Sequence, residues 1–112
     1  MLPSDSRLPY SEFRARGYRT FATPYFSLKA RPNGLPKNRI GVIISVAAVK
    51  SAARRNFWKR QVKSLVASRE SLTARNFDLL IIFSKKGDSL TKAQFRQELE
   101  KALSAAVKNF NS

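Results

Sequence analysis

Apolar positions along the chain form short alternating runs and two longer helical ones. In YFSLKA (25–30), Phe26, Leu28 and Ala30 alternate with Tyr25, Ser27 and Lys29, which predicts a strand with one wet face. In RIGVIISV (39–46), Ile40, Val42, Ile44 and Val46 line one face, and Arg39, Gly41, Ile43 and Ser45 line the other. That second face is small and partly polar, which suits an open groove. FDLLIIF (77–83) is nearly all apolar and reads as a central strand covered on both sides. A helix is expected from the N-cap Ser51 to about Arg69, and another over Leu90–Phe110, where Phe95, Leu99, Leu103, Ala106, Val107 and Phe110 recur at helical spacing. Leu8–Arg16 predicts a short first helix carrying Phe13 and closed by Gly17. RPNGLPKN (31–38) and SKKGDS (84–89) are turn-forming. The expected order is αββαβα, an α+β fold in a single domain spanning 1–112, with loose ends at 1–6 and 111–112.

At about 100° per residue, Trp58, Val62, Leu65 and Val66 share one arc of the 51–69 helix, the core side. Asn56, Lys59, Arg60 and Lys63 occupy the neighbouring arc, and Arg54 and Arg55 stand in the first turn. Cations there oppose the helix macrodipole, at about 0.3–1 kcal/mol each. A solvated helix face normally mixes signs, yet no carboxylate occurs between Glu12 and Glu70, while fourteen Lys or Arg residues do. The net charge of +15 on 112 residues points to a polyanion. A helix start flanked by cations is a track for a phosphate backbone, with Asn56 placed to bond a sugar or base. Zinc-ligand spacing and a helix-turn-helix pair are both missing from the sequence. A folded RNA read by shape therefore fits better than duplex DNA.

Composition closes off other classes. With 43% apolar residues and twelve aromatics, the chain can build a core. It has no cysteine and no histidine, which removes disulfides, thiolate metal sites, the thiol nucleophile and the commonest general base. The carboxylates are scattered. Glu98 and Glu100 point apart on a helix, and Glu12 and Asp78 could meet in space. No apolar run reaches the length of a membrane span and MLPSDSRLPY has no apolar leader core, so a cytoplasmic protein without membrane contact is expected.

The segment RIGVIIS…KSAARRNFWKRQVKS resembles the signature of the bacterial ribonuclease P protein subunit, a strand followed by a helix of the form A-x-x-R-N-x-x-K-R-x-x-(R/K). Ala52, Arg55, Asn56, Lys59, Arg60 and Lys63 carry that pattern here. RLPYSEF, TPYFSLKA and FDLLIIFSKKGDSLT extend the resemblance over nearly the whole chain. It implies an αβββαβ-type two-layer sandwich with a left-handed βαβ crossover, like the second domain of a small-subunit ribosomal protein. It also implies a catalytic RNA partner, one protein per RNA, which with Mg2+ on the RNA removes the 5′ leader of precursor tRNA. Arg54, Arg55, Asn56, Lys59, Arg60 and Lys63 would then bind the RNA subunit. The leader would lie in a cleft between the sheet and the first helix. By alternation and resemblance the cleft residues are Phe13, Tyr25, Ser27, Lys29, Arg39, Ile43 and Ser45, with no catalytic or metal-binding residue in the protein. Three departures stand out: Phe57 replaces a cation, Val46, Ala47 and Ala48 replace the usual lysine pair after Ser45, and the first helix is short. The residues themselves leave open a small ribosomal or structural RNA-binding protein. A stand-alone nuclease is disfavoured by the carboxylates.

Overall fold

The computed structural model describes residues 7–67 and 76–111. Residues 1–6 and Ser112, where loose ends are expected, lie outside the described residues, as does the expected helix end near Arg69. Four strands form one sheet: β1 (Arg19–Ala22), β2 (Phe26–Pro32), β3 (Arg39–Ile43) and β4 (Phe77–Phe83), in the spatial order β1-β2-β4-β3. β1 and β4 both run antiparallel to β2, while β3 and β4 are parallel. Helix α1 (Ala52–Ala67) makes the βαβ crossover between β3 and β4, and α2 (Lys92–Asn111) closes the chain.

Four expectations need correction. β1 was not anticipated, and the first helix is only a single 3-10 turn, Tyr10–Glu12, so the order αββαβα becomes a 3-10 turn followed by βββαβα, with a further 3-10 turn at Lys85–Ser89. Pro9 stands before the first turn and Gly17, at φ 94°, reverses the chain after it, and the seven residues between them are too few for an α-helix to hold by itself. β3 is also shorter than RIGVIISV. It ends at Ile43, and the amides of Ala48 and Val49 donate to the Ser45 carbonyl at 3.1 and 3.0 Å, so Val46 projects into solvent at 63% exposure instead of lining the core. Similarly, Arg31 and Pro32, expected in a loop, complete β2.

Both helices cover the same side of the sheet. Phe26, Leu28, Ala30, Ile40, Leu79, Ile81 and Phe83 meet Trp58, Val62, Leu65 and Val66 from α1 and Phe95, Leu99, Leu103 and Ala106 from α2. Trp58 is fully buried, with ring centroids 4.9 Å from Phe95 and 5.5 Å from Phe83. Its indole N–H donates to Asp88 Oδ1 at 2.9 Å, which satisfies the ring's only donor. Ser51 caps α1 as expected, accepting from the Arg54 amide at 3.3 Å. Thr91 and Gln94 form a reciprocal capping box at the start of α2.

Candidate nucleic-acid interface

Strand alternation assigns the face that the helices leave open. Register puts Thr20, Lys29, Leu80 and Gly41 in one row across the sheet and Ala22, Ser27, Ile82 and Ile43 in the next. Leu80 is nearly fully buried but lies outside the helix-side core, because the N-terminal segment covers it. The Phe13 ring rests on Gly41 so closely that a Cβ there would come within 2.7 Å of Phe13 Cε1. Tyr10 stacks on Phe13 with centroids 4.8 Å apart and planes at 18°. In a 3-10 turn, side chains three apart eclipse one another, which is why this pair meets. Tyr10 is 86% exposed, so the sheet carries a pillar with Gly41 as its seat, Phe13 as its middle and Tyr10 as its open top. Tyr10 was missed at the sequence level. Its spacing of three from Phe13, just after Pro9, was the available signal.

The expected cleft residues do not all converge. Ser27, Lys29 and Ile43 lie on the open face with Phe13, half-buried. Tyr25 precedes β2 and packs against the margin of the helix-side core. Ser45 sits in the exposed turn after β3, where its Oγ accepts from the Ala48 amide at 3.1 Å. Arg39 is on the open face but is engaged with Asp78, donating from Nε to Oδ1 and from Nη2 to Oδ2, each at 2.8 Å.

Asp78 is completely buried and organises this end of the face. Besides Arg39, Arg31 donates to its Oδ2 at 3.1 and 2.9 Å, and Asn33 Nδ2 donates to its Oδ1 at 3.0 Å. Burial alone would push its carboxyl up, but the hydrogen bonds from Arg39, Asn33 and Arg31 outweigh this and hold its pKa below the ordinary carboxylate value. Arg31 Nη2 also donates to Glu12 Oε2 at 2.7 Å. Glu12 and Asp78 do meet, as the sequence allowed, but they meet as two acceptors on one guanidinium, which is not an arrangement for acid–base chemistry.

On α1, Asn56 and Arg60 are exposed and Lys59 and Lys63 half-buried, while Phe57 points away from them and packs against the core beside Trp58, with ring centroids 4.9 Å apart. The cation missing at position 57 would therefore not have faced the basic arc. Among the described residues, no carboxylate pairs with Lys59, Arg60 or Lys63. Lys63 has its pKa lowered, by burial first and then by repulsion from Arg7 and Lys59, so a nearby anion would favour its charged form. The first-turn arginines differ. Arg54 Nε donates to Asp88 Oδ1 at 2.7 Å, and Arg55 Nη1 donates to the Val49 and Lys50 carbonyls at 2.8 and 2.9 Å. Each already has a partner within the fold. Among the described residues, no group of three His, Cys, Asp or Glu could hold a metal ion, and no helix is long and apolar enough to cross a membrane.

Comparison with known proteins bears on the family and the fold. A family model described as Ribonuclease P matches residues 7–107. A Ribonuclease P protein component of Aliivibrio fischeri is 28% identical over 102 residues, which cover 90% of this chain and 81% of the relative. One from Chromobacterium violaceum is 42% identical over 53 residues, 47% of this chain and 42% of the relative. A Staphylococcus aureus RNase P protein mutant with defective mRNA degradation activity has a similar structure, with a TM-score of 0.81 at 21% identity over 91% of this chain and 88% of that one. The RNase P protein from Thermotoga maritima gives 0.70 at 23% identity over 85% and 92%. At these identities the two structures speak for the fold alone.

Proposed function

The chain belongs to the Ribonuclease P family, the protein components of the endoribonuclease that matures tRNA 5′ ends, and from that premise we propose how it divides the work with its RNA. The arc Asn56, Lys59, Arg60 and Lys63 binds the RNA subunit, with Arg54 at its margin. The open sheet face, with Tyr10 and Phe13 above Ser27, Lys29 and Ile43, holds the single-stranded 5′ leader of precursor tRNA. Arg55 and Arg39 support these surfaces through contacts within the protein. The observation that carries the reading is the exposed aromatic stack on a sheet face that the helices leave open, since stacking on aromatics within a basic groove is how single strands are held without sequence readout.

Cleavage belongs to the RNA in this reading. The chain offers no histidine or cysteine, and Glu12 and Asp78 are joined through Arg31. Among the described residues no group of three His, Cys, Asp or Glu could hold a metal ion, and in this reading the Mg2+ of the holoenzyme sits on the RNA subunit. The test is cleavage of precursor tRNA in Mg2+ by purified protein, by the RNA subunit and by both. We expect none with protein alone and strong stimulation of the RNA at low ionic strength. Protein-only cleavage that survives purification would overturn the assignment, and no stimulation would favour a structural RNA-binding role.

A further inference from the structure

The aromatic pillar stands on very little backbone. Its 3-10 turn makes the bonds from the Glu12 amide to the Pro9 carbonyl at 2.9 Å and from the Phe13 amide to the Tyr10 carbonyl at 3.1 Å, the Ala15 amide adds one to the Glu12 carbonyl at 3.2 Å, and there is no side-chain cap. One turn of helix is too short to hold itself. Phe13 presses on Gly41 and Leu80, but an apolar contact fixes a distance and leaves the ring's tilt free. Tyr10, at 86% exposure, takes its orientation from Phe13. The side-chain hydrogen bonds that tie this turn to the rest of the fold fall on Glu12, the residue between them.

We propose that Glu12 is a positioning residue for leader binding. Through Arg31 on the buried Asp78, its carboxylate sets the tilt of the Tyr10–Phe13 stack over the open sheet face. Arg31 is a fixed post: it donates to Asp78 and to the Arg16 carbonyl, and its guanidinium lies 4.7 Å from the centroid of the Tyr18 ring. Tyr18, brought back by the reversal at Gly17, donates its hydroxyl to the Glu12 backbone carbonyl at 2.9 Å. Glu12 is thus held twice by one cluster, at its carboxylate by Arg31 and at its carbonyl by Tyr18. The carboxylate bond is partly exposed, with Glu12 at 36% side-chain exposure against 17% for Arg31. Ion pairs so placed contribute little to global stability. Losing the bond therefore frees the stack without unfolding the domain, which is the mark of a positioning contact.

The inference rests on the leader reading above, and the experiment separates the two. Holoenzyme affinity for precursor tRNA and for mature tRNA is measured with Glu12→Ala, with Glu12→Gln, and with each in a Tyr10→Ala/Phe13→Ala background. Glu12→Ala should weaken precursor binding about fivefold while mature tRNA binding and thermal stability hold. Glu12→Gln keeps an acceptor oxygen at the same reach and should recover most of the loss. In the aromatic-deleted background Glu12→Ala should add less than about twofold, because the residue acts through the stack. A full fivefold effect in that background, an equal loss for mature tRNA, or no effect of Glu12→Ala beside a clear effect of the aromatic deletion would each overturn the positioning role alone. If the aromatic deletion leaves the precursor-to-mature ratio unchanged, the leader reading fails and this inference falls with it.

Discussion

Gly41→Ala adds one methyl group, and the structure says where it goes. The new Cβ would meet Phe13 Cε1 at 2.7 Å, Phe13 Cζ at 2.8 Å and Leu80 Cδ1 at 3.2 Å, against about 3.4 Å for ordinary contact. Leu80 is 1% exposed and closely packed, whereas the Phe13 ring is half-buried on a single turn, so the ring yields, by about 0.7 Å (3.4 − 2.7). Gly41 has an ordinary negative φ, so alanine there lowers unfolded-state entropy and contributes about 0.4–1 kcal/mol of stability. That gain and the lost Phe13 contact nearly cancel, and the melting temperature should move by less than about 5 °C. Function should not be spared. Stacking is worth about 1–3 kcal/mol per base, and losing about 1 kcal/mol of it weakens precursor tRNA binding about fivefold. The assay is equilibrium binding of the holoenzyme to precursor and mature tRNA, with a thermal melt of the free protein. An unchanged affinity ratio at an unchanged melting temperature would refute the claim that the seat of Phe13 shapes the leader surface.

Two further outcomes follow from the charges. Lys59→Ala, Arg60→Ala and Lys63→Ala should each flatten the slope of log affinity for the RNA subunit against log salt by about 1, and Arg54→Ala by less, because Asp88 already engages it. Neutral Asn56→Ala should cost affinity at constant slope, and salt titration of binding reads both. Asp78→Asn should destabilise the fold by about 3 kcal/mol, the low end for breaking a buried pair, because Arg31 and Arg39 keep 17% and 18% exposure. Since folding depresses the Asp78 pKa, its contribution is present above the unfolded value of about 4 and disappears as pH falls through the lower folded value. Denaturant titrations below about pH 4 should show an Asp78-dependent loss of stability in the parent chain that Asp78→Asn lacks.

Elements that bury a long periodic face were legible in the sequence. The arc of Trp58, Val62, Leu65 and Val66, the alternation of Phe26, Leu28 and Ala30, and the apolar run of β4 each repeat often enough to fix a period. β1 does not. It is an edge strand of four residues whose one half-buried apolar side chain is Phe21, and it owes its place to backbone pairing with β2. The electrostatics were legible only in part, for a similar reason. The acid-free stretch from 13 to 69 made Arg39 and Arg54 look like cations awaiting phosphate, but their carboxylates come from 39 and 34 residues further along, at Asp78 and Asp88. An acid-free window in sequence says nothing about carboxylates that the fold brings back.

The same geometry explains why a helix would start with two arginines. β3 has its faces divided, Ile40 toward the helices and Gly41 toward Phe13, and its edge is taken by the N-terminal segment, where the Leu8 amide donates to the Ile40 carbonyl at 2.9 Å and Arg7 bridges alongside. The strand must then turn within Ser45–Val49 to launch α1 over the core. Arg55 closes that turn by donating to the Val49 and Lys50 carbonyls, and Arg54 ties the helix start to Asp88, the acceptor that also satisfies Trp58. Both cations thus offset their opposition to the helix dipole with oxygen acceptors a few ångströms away. With Arg54 and Arg55 so held, α1 is anchored at its first turn, and the arc from Asn56 to Lys63 is left facing outward beside Arg7. The proposed leader surface and the proposed RNA-subunit surface are therefore joined through one strand, β3, which seats Phe13 on Gly41 and leads into the turn before α1.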